Sequence, residues 1–157
     1  MKRGYFITFE GGEGGGKSTQ LRRFGDALES NGIEIVRTRE PGGEAGAEEI
    51  RKLLVSGSRS RWTPKTELLL HYSARINHLE AVIIPALEKG KWVICDRFHD
   101  STMAYQGYGH ELGVDLVSGL HELLLGEFKP DLTLIFDLPP KLGLRRAKDR
   151  DEQVDRY

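Results

Sequence analysis

The segment 11–18 has the residue types and the spacing of a loop that binds phosphate groups. It matches the pattern Gly-x-x-x-x-Gly-Lys-Ser and lies between a strand-like apolar run and a helical pattern, as this motif requires. In such a loop, backbone N–H groups surround the phosphates, the lysine reaches the β- and γ-phosphates, and the serine hydroxyl binds Mg²⁺. The pattern therefore predicts a nucleoside triphosphate site and leaves the reaction open. The residues predicted to contact this nucleotide are Gly11, Gly12, Glu13, Gly14, Gly15, Gly16, Lys17, Ser18 and Thr19.

Glu13 places a carboxylate in the middle of this loop. A carboxylate aimed at the phosphates would cost several kcal/mol through like-charge repulsion. We therefore expect Glu13 to point outward, towards a second substrate beside the γ-phosphate, where it could accept a hydrogen bond from a hydroxyl group. The alternative is a solvated carboxylate without a ligand, and the spacing alone does not separate the two.

Charged residues follow the second, third and fourth predicted strands. They are the segment 37–43, the pair Asp96-Arg97, and Asp137. Ligands of doubly wound sheets bind at the carboxyl ends of the strands, where these residues would lie. Asp96 suits a carboxylate that orients a metal, and Arg97 offers the planar fork that binds phosphate through two hydrogen bonds. The alternative for the pair is a surface ion pair.

Two further segments could complete a pocket for a planar base. His71 and Arg75 are four residues apart on a predicted helix, so they share one face. The ring could stack on a base while the guanidinium donates to a carbonyl oxygen, although such a pair is usually solvated. The segment 101–107 adds hydroxyl groups, an amide and a ring, but its pattern is also that of an ordinary helix start followed by a glycine.

The elements that must position these residues alternate between short apolar strands and longer helical patterns. Thr63-Pro64 opens the longest helix, which Gly90 ends. Repeated strand–helix units predict one α/β domain with a mainly parallel sheet and helices on both faces. The predicted strands cover 5–9, 33–38, 92–95 and 132–136.

Length and composition limit the function classes. The chain has 157 residues and a formal net charge of −1, so no whole-protein field attracts nucleic acid or an anionic membrane. No stretch is long and apolar enough to span a bilayer, and the N-terminal run is too short for a signal peptide. The single cysteine, Cys95, cannot form an internal disulfide, which favours a reducing compartment. We therefore expect a cytoplasmic enzyme.

The chain as a whole resembles the thymidylate kinase family, of the P-loop nucleoside monophosphate kinase group. The similar segments occur in family order and cover essentially the whole chain: FEGGEGGGKSTQ, TREPGG, ELLLHYSARINHLE, VICDRFHDSTMAYQG, PDLTLIFDLPP and GLRRAKDRDEQVDRY. The resemblance implies a three-layer α/β/α fold in a single domain over 1–157. It also implies transfer of the γ-phosphoryl group of ATP to dTMP, giving dTDP, with Mg²⁺ as cofactor and a homodimer as the assembly.

The resemblance implies a role for each matched residue. Glu13 holds the 3′-hydroxyl of the acceptor, Arg97 binds its phosphate with Asp96 beside it near Mg²⁺, and Arg75 bonds the thymine carbonyl. The remaining acceptor contacts implied are Glu40, Pro41, His71, Ser101, Thr102, Tyr105 and Gln106.

A lid segment at about 141–157 is the last implied part of the site. Family members carry the transition-state arginine either in the P-loop or in the lid, and Gly14 occupies the place of the loop arginine here. The resemblance therefore implies a lid arginine, and we favour Arg146 and Arg150 as catalytic residues beside Lys17, Asp96 and Arg97. The full set of candidates is Arg145, Arg146, Lys148, Arg150 and Arg156.

This chain departs from the family pattern at two places. His71 stands where an aromatic ring, commonly phenylalanine, stacks on thymine, and an imidazole that gains charge near pH 6–7 predicts weaker or pH-dependent base affinity. The chain also ends at Arg156-Tyr157, inside the lid, whereas the family continues into further helices and a final strand. We interpret this end as that of a partial sequence; the alternative is a truncation that impairs donor binding.

Three other functions compete with this assignment. The first is a P-loop kinase for another small acceptor, such as a different nucleotide or a sugar acid. The second is a nucleotide-binding regulatory module, although the Asn-Lys-x-Asp motif by which GTPase switches read guanine does not occur in the sequence. The third is an inactive scaffold, against which the presence of Lys17, Ser18, Asp96 and Arg97 argues.

Overall fold

A four-stranded parallel sheet forms the centre of the fold. The computed structural model describes residues 2–58 and 60–148. Within them the strand order is β2-β3-β1-β4, and every neighbouring pair runs parallel. This order places β1 and β3 in the middle, so the segments that follow these two strands emerge side by side. The strands are β1 (Phe6–Gly11), β2 (Ile35–Arg39), β3 (Trp92–Asp96) and β4 (Leu132–Phe136).

Helices connect the strands, as the predicted crossovers require. The described helices are α1 (Lys17–Ser30), α2 (Ala45–Val55), α3 (Pro64–His78), α4 (Ile84–Glu88), α5 (His99–Thr102), α6 (Val114–Leu125) and α7 (Pro140–Lys148). Glu44 caps α2 through its carboxylate, and Thr63 caps α3 through its hydroxyl. No helix in the described ranges combines the length and the apolar composition needed to cross a membrane.

Both faces of the sheet are covered by apolar side chains. On one face Phe6 and Val93 pack with Leu79 and Ile83, which come from the end of the helix that begins at α3. On the other face the main cluster is formed by Ile7, Phe9, Leu21 and Ile94, with Leu21 supplied by α1. Alternate residues of a strand point to opposite faces, so β1 contributes to both layers. The predicted α/β architecture with helices on both faces is confirmed.

The long helix predicted from Pro64 to Gly90 is interrupted by one wider turn. The residues Leu79–Ile83 form a π-helical turn that joins α3 to α4. A second π-helical stretch, Met103–Gly109, follows α5 directly, so the predicted pocket segment is helical throughout. Turns of this type often occur at functional sites, and the second one carries Tyr105 and Gln106.

Two strand boundaries differ from the sequence prediction by two residues, and three others differ by one residue. The second strand begins at Ile35 rather than at residue 33, because the N–H of Ile33 donates to the carbonyl of Leu28 in the last turn of α1. The first strand extends to Gly11, because Glu10 and Gly11 pair with Ile135 and Phe136 of β4. The sheet therefore reaches into the glycine-rich loop.

Candidate active site

The glycine-rich loop connects β1 to α1 and is closed by Lys17. The ammonium group of Lys17 is 2.8 Å from the carbonyl oxygen of Gly11 and 2.9 Å from that of Gly12. Burial lowers the pKa of this ammonium, and Arg97 lowers it further. Among the described residues no side chain caps the N-terminus of α1, whose first helical position follows Gly16. The loop therefore combines a buried cation with uncapped helix amides, an arrangement suited to binding anions.

Ser18 and Asp96, the two predicted metal ligands, lie in contact. The Ser18 hydroxyl donates to one carboxylate oxygen of Asp96 over 3.1 Å. The other carboxylate oxygen of Asp96 is buried and has no hydrogen-bond partner among the residues that the structure describes. Hydroxyl and carboxylate oxygens are the hard ligands that Mg²⁺ prefers. The pair therefore fits the predicted ion.

A cavity of about 580 Å³ opens beside this pair. Its other walls come from the end of β2 and the start of α2, including Arg39, Gly43 and Glu44. The predicted strand-end cluster at 37–43 thus lies next to the predicted metal ligands. Arg37 and Arg39 point to α1 and α2, where they pair with Glu29 and Glu48.

The side chain of Arg97 connects the predicted acceptor site with the glycine-rich loop. Its guanidinium contacts the carboxylate of Glu13, lies 3.4 Å from the carbonyl oxygen of Gly11, and donates to the hydroxyl of Ser101 over 3.1 Å. The guanidinium also packs over the ring of Tyr105, 5.4 Å from its centre. The carboxylate predicted to face a second substrate thus lies beside the arginine predicted to bind that substrate's phosphate.

Glu10 anchors the segment that carries Arg97, and sequence reasoning did not identify it. Its side chain is buried at the end of β1, where one oxygen accepts from the N–H of Phe98 over 2.7 Å and the other from Ser101. Burial raises the pKa of this carboxyl group. Arg97 itself has a φ of 70°, a strained value that persists only where the surroundings hold it. An acidic residue ending an apolar strand was the only signal in the sequence.

Arg75 is buried at the base of the predicted pocket. Its Nε donates to Glu40 over 2.7 Å and its Nη2 to the hydroxyl of Thr102 over 2.9 Å. Its Nη1 is buried and has no hydrogen-bond partner within the described part of the chain. The rings of Tyr72 and Phe98 flank the guanidinium at 5.0 and 4.7 Å. The guanidinium is therefore fixed in place with one donor group left for a carbonyl oxygen.

Glu40 orients Arg75. This role is indirect and differs from the predicted direct contact between Glu40 and a substrate. Its carboxylate is buried, with one oxygen at Arg75 and the other 3.3 Å from Nδ1 of His78. His78 in turn lies 2.6 Å from the hydroxyl of Thr38. The neighbouring Pro41 accepts a hydrogen bond from Arg51 through its carbonyl oxygen. Any effect of Glu40 on an acceptor would pass through the arginine that it orients.

Gln106 is held by a second carboxylate that sequence reasoning missed. The side chains of Gln106 and Glu67 are both buried, and the amide of Gln106 donates to Glu67 over 3.1 Å. His110 contacts the same oxygen of Glu67 at 3.0 Å. This hydrogen bond fixes the orientation of the Gln106 amide, with its nitrogen facing Glu67. In the sequence, the available signal for a buried carboxylate was an acidic residue, Glu67, next to apolar residues of α3.

The expectation that His71 gains charge near pH 6–7 is wrong. The pKa of His71 is lowered to about 3, mainly by burial and in addition by Arg75 and other nearby cations. The imidazole is therefore neutral at physiological pH, because both the apolar surroundings and the neighbouring charges disfavour a second proton. A pH-dependent base affinity through this residue does not follow.

We expect His71 to make folding stability depend on pH. Between about pH 6.5 and 3 the unfolded chain binds a proton at His71 that the folded protein excludes, so stability falls as the pH is lowered through this range. Relative to His71→Phe, the wild-type free energy of unfolding should fall by about 2 kcal/mol between pH 7 and pH 5. Urea unfolding at both pH values measures this, and parallel curves for the two proteins would contradict it.

The lid is described only in its first part. Arg145 and Arg146 lie on α7 with exposed side chains. Arg150 and Arg156 lie outside the described residues, as does most of the predicted segment 141–157. The structure thus brings Lys17, Asp96 and Arg97 together at one end of the sheet with residues predicted to bind the acceptor, and α7 lies beside the loop.

Comparison with known proteins identifies the family. The family model described as thymidylate kinase matches residues 9–157. The chain is 55% identical to the thymidylate kinase of Caulobacter vibrioides over 96% of its own length and 72% of that protein. It is 50% identical to that of a Bradyrhizobium species over 94% of its own length and 66% of that protein. The crystal structure of thymidylate kinase from Ehrlichia chaffeensis superposes with a TM-score of 0.78 and 38% identity, covering 94% of this chain and 79% of that one. The chain therefore spans about two thirds to four fifths of these relatives.

Proposed function

This chain belongs to the thymidylate kinase family, and we propose that it transfers the γ-phosphoryl group of ATP to dTMP, giving dTDP and ADP for DNA synthesis. One observation supports this most directly. The guanidinium of Arg97 contacts the phosphate loop itself through Glu13 and the carbonyl of Gly11. A phosphate bound to Arg97 would lie directly beside a nucleotide bound in the loop, which is the geometry that transfer between two phosphates needs.

The donor half of the site binds ATP in this proposal. Lys17 turns from the loop carbonyls to the β- and γ-phosphates, and the uncapped amides at the start of α1 complete the anion site. Ser18 and Asp96 would hold Mg²⁺, which would supply positive charge that neutralises the phosphates. The remaining loop residues, 11–16 and Thr19, surround the triphosphate.

The acceptor half binds dTMP. Arg97 exchanges its contact with Glu13 for the acceptor phosphate, and Glu13 then accepts from the 3′-hydroxyl. The free Nη1 of Arg75 donates to a thymine carbonyl, while His71 stacks on the base as a neutral ring. We assign the remaining acceptor contacts to Ser101, Thr102, Tyr105 and Gln106, of which Ser101 accepts from Arg97 and Thr102 from Arg75. Glu40, followed by Pro41, orients Arg75.

The protein promotes the reaction by positioning the two phosphate groups and by neutralising their charge. The acceptor phosphate is already anionic near neutral pH, so no general base is needed to activate it. Arg97 directs one phosphate oxygen in line with the γ-phosphorus, and a lid arginine, Arg146 or Arg150, neutralises charge on the transferring group. Closure of the lid excludes water, which would otherwise hydrolyse ATP.

Assembly and location complete the proposal. We propose a homodimer in the cytoplasm, in which helices form the interface. In support, α2 and α3 expose Leu53 and Leu69, apolar side chains available for contact with a second copy of the chain. The buried free thiol of Cys95 suits a reducing compartment.

An acceptor panel tests the proposed function. ADP release from the complete protein should depend on dTMP and should stop when EDTA removes Mg²⁺. Parallel assays use dUMP, dCMP, AMP and gluconate as acceptors. A preference for dCMP, AMP or gluconate would contradict the assignment, and ADP release that needs no acceptor would identify an ATPase instead.

A further inference from the structure

Helix α7 contacts the phosphate loop. Each side of this contact contains a glycine, Gly143 on the helix and Gly14 on the loop. Gly143 is the only buried position of α7 between Pro140 and Arg146. A Cβ added at Gly143 would lie 2.4 Å from the carbonyl oxygen of Glu13, and one added at Gly14 would lie 2.2 Å from the carbonyl oxygen of Gly143. Both neighbours are backbone atoms, which cannot rotate away as a side chain can. The two backbones therefore approach more closely than any side chain at either position would allow.

Local helix preference does not account for Gly143. Glycine inside a helix costs about 0.5–1 kcal/mol relative to alanine. In proteins most of the stability of a helix comes from tertiary packing. The side chains of Leu144, Arg145 and Arg146 are exposed, so the contact of Gly143 with the loop is one of the packing contacts of this part of α7. Glycine here disfavours the helix itself and favours its docking on the loop.

We propose that Gly143 is a positioning residue for phosphoryl transfer. By docking α7 on the backbone of Glu13 and Gly14, it fixes the distance of the lid helix from the phosphate loop. Arg146 follows three residues later and shares this face of the helix, whereas Arg145, two residues later, does not. The contact thus assigns Arg146 to the loop side of the lid. This inference rests on the proposed function.

The same close contact explains why position 14 of the loop is a glycine. Its φ of 71° lies in the left-handed region, and any side chain there would meet the backbone of Gly143. An arginine at this loop position is therefore incompatible with α7 docked as it is here. In this chain the transition-state charge must come from another segment, and the docked helix carries Arg145 and Arg146.

A small displacement of α7 should have a large kinetic effect. Ordinary carbon contacts begin near 3.5 Å, so a Cβ at position 143 would push the helix away by about 1 Å. A displacement of this size can cost about 10²-fold in rate when it misplaces a catalytic group. Acceptor binding should change little, because Arg97 and Arg75 belong to other elements.

The test compares Gly143→Ala with Gly119→Ala in the complete protein. Both substitutions place alanine inside a helix, but a Cβ at Gly119 of α6 has no atom within 4 Å. We expect Gly143→Ala to lower kcat by about 10²-fold with an unchanged KM for dTMP. Gly119→Ala should keep the wild-type kcat. If Gly143 affected only the stability of its own helix, both variants would be slightly more stable and fully active. An unchanged kcat for Gly143→Ala would therefore overturn the proposal.

Amide hydrogen exchange provides a readout that does not need activity. In Gly143→Ala, exchange should become faster in both the segment 13–16 and the first turn of α7, while Gly119→Ala leaves both segments as in the wild type. Unchanged exchange in Gly143→Ala would show that the contact is absent, and faster exchange with normal kcat would overturn its role in positioning. A wild-type protein that released no dTMP-dependent ADP would instead contradict the proposed function, and the exchange data would still decide whether α7 docks.

Discussion

Arg97→Ala is expected to lower kcat/KM for dTMP by roughly 10³-fold. The guanidinium is the one group that contacts the phosphate loop, Ser101 and Tyr105 together within the described residues, and alanine removes all three contacts at once. Without it, the acceptor phosphate loses both its charge partner and its alignment with the donor. Steady-state assays with saturating ATP measure the effect.

Three further variants make this result specific. Arg97→Lys keeps the charge but loses the planar fork, so it should recover only part of the activity. Arg22→Ala removes an exposed arginine of α1 that pairs with Asp26, and it should leave kcat/KM unchanged. His71→Ala removes a neutral ring and should cost much less than Arg97→Ala. A milder defect for Arg97→Ala than for His71→Ala would contradict the assignment of Arg97 to the acceptor phosphate.

Glu40→Ala is expected to destabilise the fold by about 3–5 kcal/mol. The substitution leaves the guanidinium of Arg75 buried without a counter-charge, and it also removes one of the two partners of His78. Such a loss is a large part of the 5–15 kcal/mol by which a typical domain is stable. Equilibrium urea unfolding measures the change in the free energy of unfolding.

A second substitution separates loss of the ion pair from loss of packing. In Glu40→Ala combined with Arg75→Met, no unpaired buried charge remains, so the double variant should be more stable than Glu40→Ala alone. Glu29→Ala removes an exposed partner of Arg37 and should have a far smaller effect. Equal losses for Glu40→Ala and Glu29→Ala would show that burial of the Arg75 pair does not matter for stability.

The donor side of the site was predictable because its signals are local. The spacing from Gly11 to Ser18 and the flanking strand and helix define the loop within one short segment. Asp96 and Arg97 were also predictable, because a parallel sheet brings the ends of adjacent strands to one edge. Ser18 and Asp96 meet for this reason although they come from different strand–helix units.

The supporting carboxylates were not predictable in the same way. Glu10, Glu40 and Glu67 are ordinary acidic residues in the sequence, and each becomes buried only when distant elements pack around it. Their partners Phe98, Arg75 and Gln106 follow no spacing rule relative to them. The pKa of His71 is a further case, because it depends on burial and on cations from other segments.

The amino-acid sequence by itself determined the α/β class, the phosphate loop and the strand-end residues, since these follow from short-range spacing and from the rules of parallel sheets. Only the tertiary structure decided which charges are buried together, that Glu13 meets Arg97, and that Gly143 lies against Gly14. These features depend on distances between segments that are far apart in the chain. Such distances are set by packing of the whole core, which no local pattern of residues encodes.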